Sequence, residues 1–197
     1  GQQAYQDEIF RKNAKNVLEK NGAPKEDFNI LLRSYKYIFR EERLARRAEE
    51  MLASGNEEIR KEGENLKEEI RMSRINEGNQ TAESAKAAIQ AIKDKLSPEE
   101  YKVFDDSLKG IAKQLDDALD FLYEKGLIKP KTYKDLKSDP NPYMGSYDVL
   151  RYMELNDLGV KVSHKGAPIK TMWGTEELQN DPIQSAYYGV TSAYQKG

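Results

Sequence analysis

The chain has 197 residues, of which 34% are charged and 38% hydrophobic, with no cysteine and a single histidine. The lack of cysteine excludes a disulfide scaffold, a thiolate metal site and a cysteine nucleophile. A net charge of −2 gives no global attraction to nucleic acid or anionic membranes, and no apolar run approaches the roughly 18 residues of a membrane span. The modest hydrophobic share predicts a thin core laid along helix stripes.

Charge divides the chain at Ile128. Residues 1–128 hold 23 Lys/Arg and 26 Asp/Glu, and residues 129–197 hold 9 and 8. Eight of the twelve tyrosines lie from Tyr123 onward, and five of the seven prolines from Pro130 onward. This shift predicts a helical domain over 1–128 and a Tyr/Pro/Gly-rich arm with short helices over 129–197.

In chain order, Tyr5, Ile9, Phe10, Ala14, Val17 and Leu18 recur at helical spacing and predict a helix from about 4 to 20. Asn21-Gly22 stops it. A second helix is predicted over 27–53, with Phe28, Leu31, Tyr35, Ile38, Ala45 and Leu52 on one side. Residues 57–77 carry only a narrow stripe (Ile59, Leu66, Ile70 and Ile75), too little for a buried helix. The expectation there is a long exposed helix or a marginal one. Ala82–Leu96 is alanine-rich and suited to close packing.

Ser97-Pro98-Glu99-Glu100 combines an N-cap serine, a proline at the first helical position and a glutamate able to reach back to the cap. The helix that follows aligns Tyr101, Phe104, Leu108, Ile111, Leu115, Leu119 and Leu122 in one seam and stops at Lys125-Gly126. Burying seven such side chains would contribute roughly 10–20 kcal/mol before entropy costs. This helix is the predicted spine, with the helices of 27–53 and 82–96 as its expected antiparallel neighbours. The fold class is therefore all-α: an antiparallel helical bundle or elongated helical stack, with an extended, irregular C-terminal arm ending in a short helix.

Beyond the spine, a short helix is predicted over 130–137. Asp139–Tyr143 holds two prolines that prevent continuous helix. Val149–Met153 reads as a short strand or helical turn, and 156–175 as an extended arm. Asp181-Pro182 opens an amphipathic helix with Ile183, Ala186, Tyr187, Val190 and Tyr194 on one face. The abrupt end at Gly197 suggests a piece of a larger protein.

Three segments carry a family resemblance. They are Phe121-Leu122-Tyr123-Glu124-Lys125-Gly126-Leu127-Ile128; Thr132-Tyr133 with the Asn141-Pro142-Tyr143 turn; and Lys165–Thr175 followed by Asp181-Pro182-Ile183. Together they resemble large polyvalent protein-associated segments of phages and mobile elements, over roughly the last third to half of the chain. Where that family usually caps the short helix with Ser or Thr, this chain has Lys129. The resemblance implies a virion or host-cytoplasm setting, as a protein packaged in virions and delivered with DNA. It implies no activity.

Candidate functional groups are few. His164 stands in a Ser-His-Lys-Gly loop with no His, Cys or paired carboxylate near it in sequence. No nucleophile elbow, phosphate loop, dinucleotide fingerprint or zinc helix occurs, so no cofactor, metal site or catalytic residue is expected. Asp116, Asp117 and Asp120, with Asp105 and Asp106 before them, read as a solvated acidic face. Arg33, Lys36, Arg40, Arg43 and Arg47 are spaced 3, 4, 3 and 4, one stripe over about 21 Å of helix. They are the candidate nucleic-acid contact, with partnering by nearby glutamates as the alternative. Ile169, Met172 and Trp173, together with Ile183, Tyr187 and Tyr194, are the candidate protein interface, with packing against the chain's own helices as the alternative. The leading expectation is a non-enzymatic structural or interaction protein with a protein partner or self-association. A nucleic-acid-associated protein comes second, and an accessory domain of an enzyme last.

Overall fold

Every regular element is helical among the described residues (1–15, 19, 25–73, 80–141 and 182–195) of the computed structural model. The elements are α1 (Gln2–Phe10), a π-helical turn (Arg11–Lys15), α2 (Lys25–Leu52), α3 (Glu57–Arg71), α4 (Ala82–Lys95), α5 (Pro98–Glu124), α6 (Pro130–Lys137) and α7 (Pro182–Gln195). The all-α expectation holds. The Asn21-Gly22 stop, the 149–153 segment and the 156–175 arm lie outside the described residues.

Local chemistry explains the sharpest boundaries. Ser97 Oγ accepts the Glu100 N–H at 3.2 Å, and the Ser97 N–H donates to Glu100 Oε2 at 2.8 Å, the reciprocal cap expected from the sequence. The Ser97 backbone N–H first, then its hydroxyl, holds the Glu100 carboxyl below its ordinary value. At the other end Gly126 takes φ +71°, a left-handed conformation that suits glycine. The Gly126 N–H bonds the Tyr123 carbonyl and the Leu127 N–H bonds the Leu122 carbonyl, both at 2.9 Å. This Schellman turn reverses the chain and folds α6 back on the last turns of α5. Lys129 occupies the N-cap of α6 and supplies no side-chain cap; Pro130 opens the helix instead.

The first helix differs from expectation. Regular α-helix stops at Phe10 and widens into the π-helical turn. That turn brings Asn13 against α5 where Gly110 has no side chain; a Cβ there would stand 2.6 Å from Asn13 Cγ. Asn13 Nδ2 donates to Gln114 Oε1 at 3.3 Å, and Gln114 Nε2 donates to the Gln6 carbonyl and Gln6 Oε1 at 3.1 and 3.0 Å. Buried Gln114 is thereby satisfied, as a polar group in a core must be.

The long helix α2 has two different partners. Along its first half α4 lies antiparallel, tied at one end by Lys95 to Asp27 (2.7 Å) and at the other by the Ala82 N–H to Glu41 (2.7 Å). Toward its C-terminal end α3 folds back on it, with Lys67 paired to Glu49 at 2.7 Å. Gly63 is the only residue of α3 that is buried. A Cβ on it would stand 3.0 Å from Met51 Cβ and 3.1 Å from the Ala48 carbonyl. Gly63→Leu is therefore expected to part the α2–α3 hairpin, at about 1–3 kcal/mol. Hydrogen exchange should show faster opening of residues 57–71 while α5 stays protected; unchanged protection of 57–71 would place the contact elsewhere.

The spine helix touches its expected neighbours but packs mainly against others. It touches α2 near its N-terminal end, where Phe104 packs edge-on to Phe28 with centroids 5.5 Å apart and the Tyr101 and Tyr35 hydroxyls lie 3.3 Å apart. Its principal companions are α7 and the α1–π-turn segment. The physical reason lies in α7, whose small and branched residues let it press close. Ala186, Val190 and Ala193 are buried, with Val190 and Ala193 fully so. The main core joins Phe10, Phe28, Leu31, Ile89, Phe104, Ile111 and Val190, among others. A second cluster of Ala118, Leu119, Leu122, Ile128, Leu136 and Ala193 lies under α6.

Polar bonds close the two ends of the chain on each other. The Tyr187 hydroxyl donates to Asp7 Oδ1 at 2.6 Å, and Arg11 Nε donates to Asp7 Oδ2 at 2.9 Å. Tyr187 first, then Arg11, holds the Asp7 carboxyl below its ordinary value, against the opposing effect of burial. A carboxyl with a lowered folded-state pKa stabilises above its unfolded value, and that contribution is lost as pH falls through the folded value. Denaturant melts of the parent and Asp7→Asn should therefore differ by a steady amount down to about pH 5, with the difference shrinking as pH falls below about 4. A difference that stays constant down to about pH 2 would remove Asp7 from the acid response.

Candidate interaction surface

The basic stripe is not an open row of charge. Arg33, Lys36, Arg40 and Arg43 are half-buried and only Arg47 is exposed; the first four are each engaged by a neighbour. Packing of α2 under α3 and α4 accounts for this, since a helix covered on two sides has little free surface. Sequence reasoning passed over Arg46, between two stripe residues. Arg46 Nη2 pairs with Asp139 Oδ1 at 2.6 Å, and the Asn141 side chain donates to Glu42 at 3.0 Å. These bonds tie the segment after α6 to α2.

The aspartates of α5 are taken up in ion pairs. Lys102 pairs with Asp106, Lys109 with Asp105 and Lys113 with Asp117 along the helix, the i,i+4 geometry of a solvated face. Asp116 and Asp120 serve a different end: both pair with Lys137 of α6, at 2.6 and 2.7 Å. Burial pushes the Lys137 ammonium down, but the two carboxylates outweigh it and its proton is held more tightly than usual. Among the described residues no group of His, Cys, Asp and Glu is arranged to hold a metal ion. His164 lies outside the described residues.

The candidate protein interface divides. Ile169, Met172 and Trp173 lie outside the described residues. Ile183, Tyr187 and Tyr194 are half-buried and pack against the chain's own core, the alternative that the sequence also allowed. The Ile183 N–H donates to Asn29 at 3.2 Å, Tyr187 packs edge-on to Phe10 at 5.3 Å, and Tyr194 lies 4.5 Å from Phe121. Burial, then the carboxylates of Asp117, Asp120 and Glu124, pushes the Tyr194 hydroxyl up to about 12, so it stays neutral at any physiological pH.

A surface that sequence reasoning missed lies where α5 turns into α6. Tyr123 and Tyr133 stack face to face, with centroids 4.0 Å apart and planes 7° apart. The Schellman turn creates the juxtaposition, and Tyr133 is locked by donating its hydroxyl to Asp120 at 2.8 Å, a bond that raises its pKa. Tyr123 remains 37% exposed and Leu127 41%. The signal was present in the sequence: residues 125–137 hold five lysines and a single acid, Asp135. The aromatic pairing across the turn was not, because it depends on how α6 folds back. No family model, curated protein or solved structure matches this chain. Among the described residues no helix is long and apolar enough to cross a membrane.

Proposed function

We propose that this chain is a non-enzymatic structural protein that works by packing against other protein chains. What supports the reading is α3. A helix of 15 residues that buries only Gly63 adds little to the chain's own core. Its outward residues Glu58, Arg60, Lys61, Glu62, Glu64, Asn65 and Glu68 are exposed, and Ile59 and Met72 add exposed apolar surface near its two ends. Such a hairpin presents a mixed, charge-rich surface suited to a partner of complementary pattern. The phage or mobile-element setting rests on the resemblance of the Phe121–Ile128, Thr132–Tyr143 and Lys165–Ile183 segments to polyvalent-protein segments.

Light scattering over a wide concentration range tests the self-association form of this reading. The expected result is a mass rising above the 22.6 kDa of one chain, with the rise reduced by charge reversal at Lys61 and Glu62. A strict monomer at every concentration overturns it. The genomic neighbours of the parent reading frame test the setting, and a locus without capsid, tail or mobile-element genes would remove it. A nucleic-acid reading at the Arg33–Arg47 stripe gains no support from four half-buried cations.

A further inference from the structure

We propose that the stacked Tyr123–Tyr133 pair and the lysines around it form a platform for single-stranded nucleic acid. Tyr133 covers one face of Tyr123, and Tyr123 is still 37% exposed. A two-ring stack with planes 7° apart is already ordered, so a base added to the outer face of Tyr123 extends it without fixing a mobile side chain first. Lys129, Lys131 and Lys134 are exposed on the adjoining helix. Lys137 lies four residues after Tyr133 on the same face of α6, and Lys129 stands at the N-cap of that helix. Lys137 is taken up by Asp116 and Asp120, so the phosphates fall to Lys129, Lys131 and Lys134.

Charge selects the class of ligand. Residues 125–137 hold five lysines against one acid; with Glu124 beside Tyr123 and Asp116 and Asp120 on Lys137, the balance around the stack is still positive by one, in a chain whose total is −2. A nucleic acid offers both a ring face for Tyr123 and phosphates for the lysines. Single strands fit rather than duplexes, because a duplex keeps its ring faces inside its own stack. The platform uses none of the α3 surface, so it stands or falls separately from the packing function.

Anisotropy of a fluorescein-labelled oligothymidylate of roughly 12 nucleotides, a length within the range of known single-strand sites, tests it with the full chain at about 50 mM salt. Binding is expected, weakening steeply as salt rises. Tyr123→Ala should weaken it about 5- to 100-fold, the value of one stacked base, while Tyr123→Phe retains most of it. Lys129→Glu and Lys134→Glu, both at exposed positions, should weaken it and flatten the salt dependence. Lys86→Glu, at an exposed position of α4, carries the same change in net charge and should leave it unaltered. No binding at low salt overturns the platform. So does a Tyr123→Ala protein that binds as tightly as the parent, or a Lys86→Glu loss equal to that of Lys129→Glu. Self-association lost on Tyr123→Ala with no oligonucleotide binding would assign the patch to a protein partner instead.

Discussion

Val190→Asp is expected to release the C-terminal helix or unfold the protein. Val190 has no exposed surface and belongs to the main core with Phe10, Ile111 and Leu115. A carboxylate placed there has lost its water without a partner, at a cost of about 4–5 kcal/mol or more. Small domains are stable by only about 5–15 kcal/mol, so the change takes a large part of the total. Detachment of α7 would also remove the Phe10–Tyr187 and Phe121–Tyr194 contacts and the Tyr187 bond to Asp7. Thermal melts by circular dichroism, with limited proteolysis of the C-terminal region, give the readout. Val190→Ala serves as the milder variant, at about 2 kcal/mol. A Val190→Asp protein that melts like the parent would mean that α7 is not seated in the core.

The second large effect is expected at the crossing of α2 and α5. Phe28 and Phe104 are both fully buried, and each should cost about 3–5 kcal/mol on replacement by alanine. They also touch edge-on, a geometry worth about 0.5–1.5 kcal/mol beyond the area buried. The double variant should therefore lose less than the sum of the singles by about that amount. Strict additivity in urea titrations would show that the rings do not depend on each other. The result bears on the architecture, because this ring pair and the Tyr35–Tyr101 hydroxyl contact hold α5 to α2.

Much of this architecture was legible from residue spacing. Ser97, Pro98 and Glu100 announced the start of α5, and Lys125-Gly126 its end, because caps and stops are local chemistry that tertiary packing seldom overrides. The seam from Phe104 to Leu122 was buried as its spacing required, while Tyr101 at its start is only half-buried. The narrow stripe of 57–77 pointed to a long exposed helix or a marginal one; the helix is exposed and runs from Glu57 to Arg71. Three features resisted reading. The π-helical turn at Arg11–Lys15 has no local signature; it is explained by Gly110, about a hundred residues away. The neighbours of α5 could not be chosen from helix patterns, since an apolar seam specifies that it must be covered and not by what. The cation stripe on α2 looked free because periodicity reports the angle around one helix, not the helices packed over it.

The same division runs through the candidate surfaces. The tyrosines of the last helix read equally as interface or core, and only the seating of α7 against α1 and α5 decided for Ile183, Tyr187 and Tyr194. Composition showed lysines crowded between 125 and 137, but a lysine run alone is a solvated segment. It acquires a binding geometry when Gly126 turns the chain and sets Tyr133 against Tyr123.

The sequence by itself determined the helical class, the best-capped boundaries and the exclusion of cysteine chemistry, because each depends on residues within a few positions of one another. Tertiary structure alone decided that the C-terminal helix completes the core begun by the first, that the cation stripe is half-buried except at Arg47, and that two tyrosines stack across a turn. Those outcomes depend on contacts between residues as distant as Asp7 and Tyr187. Such contacts arise only when every apolar seam competes for the same few partners.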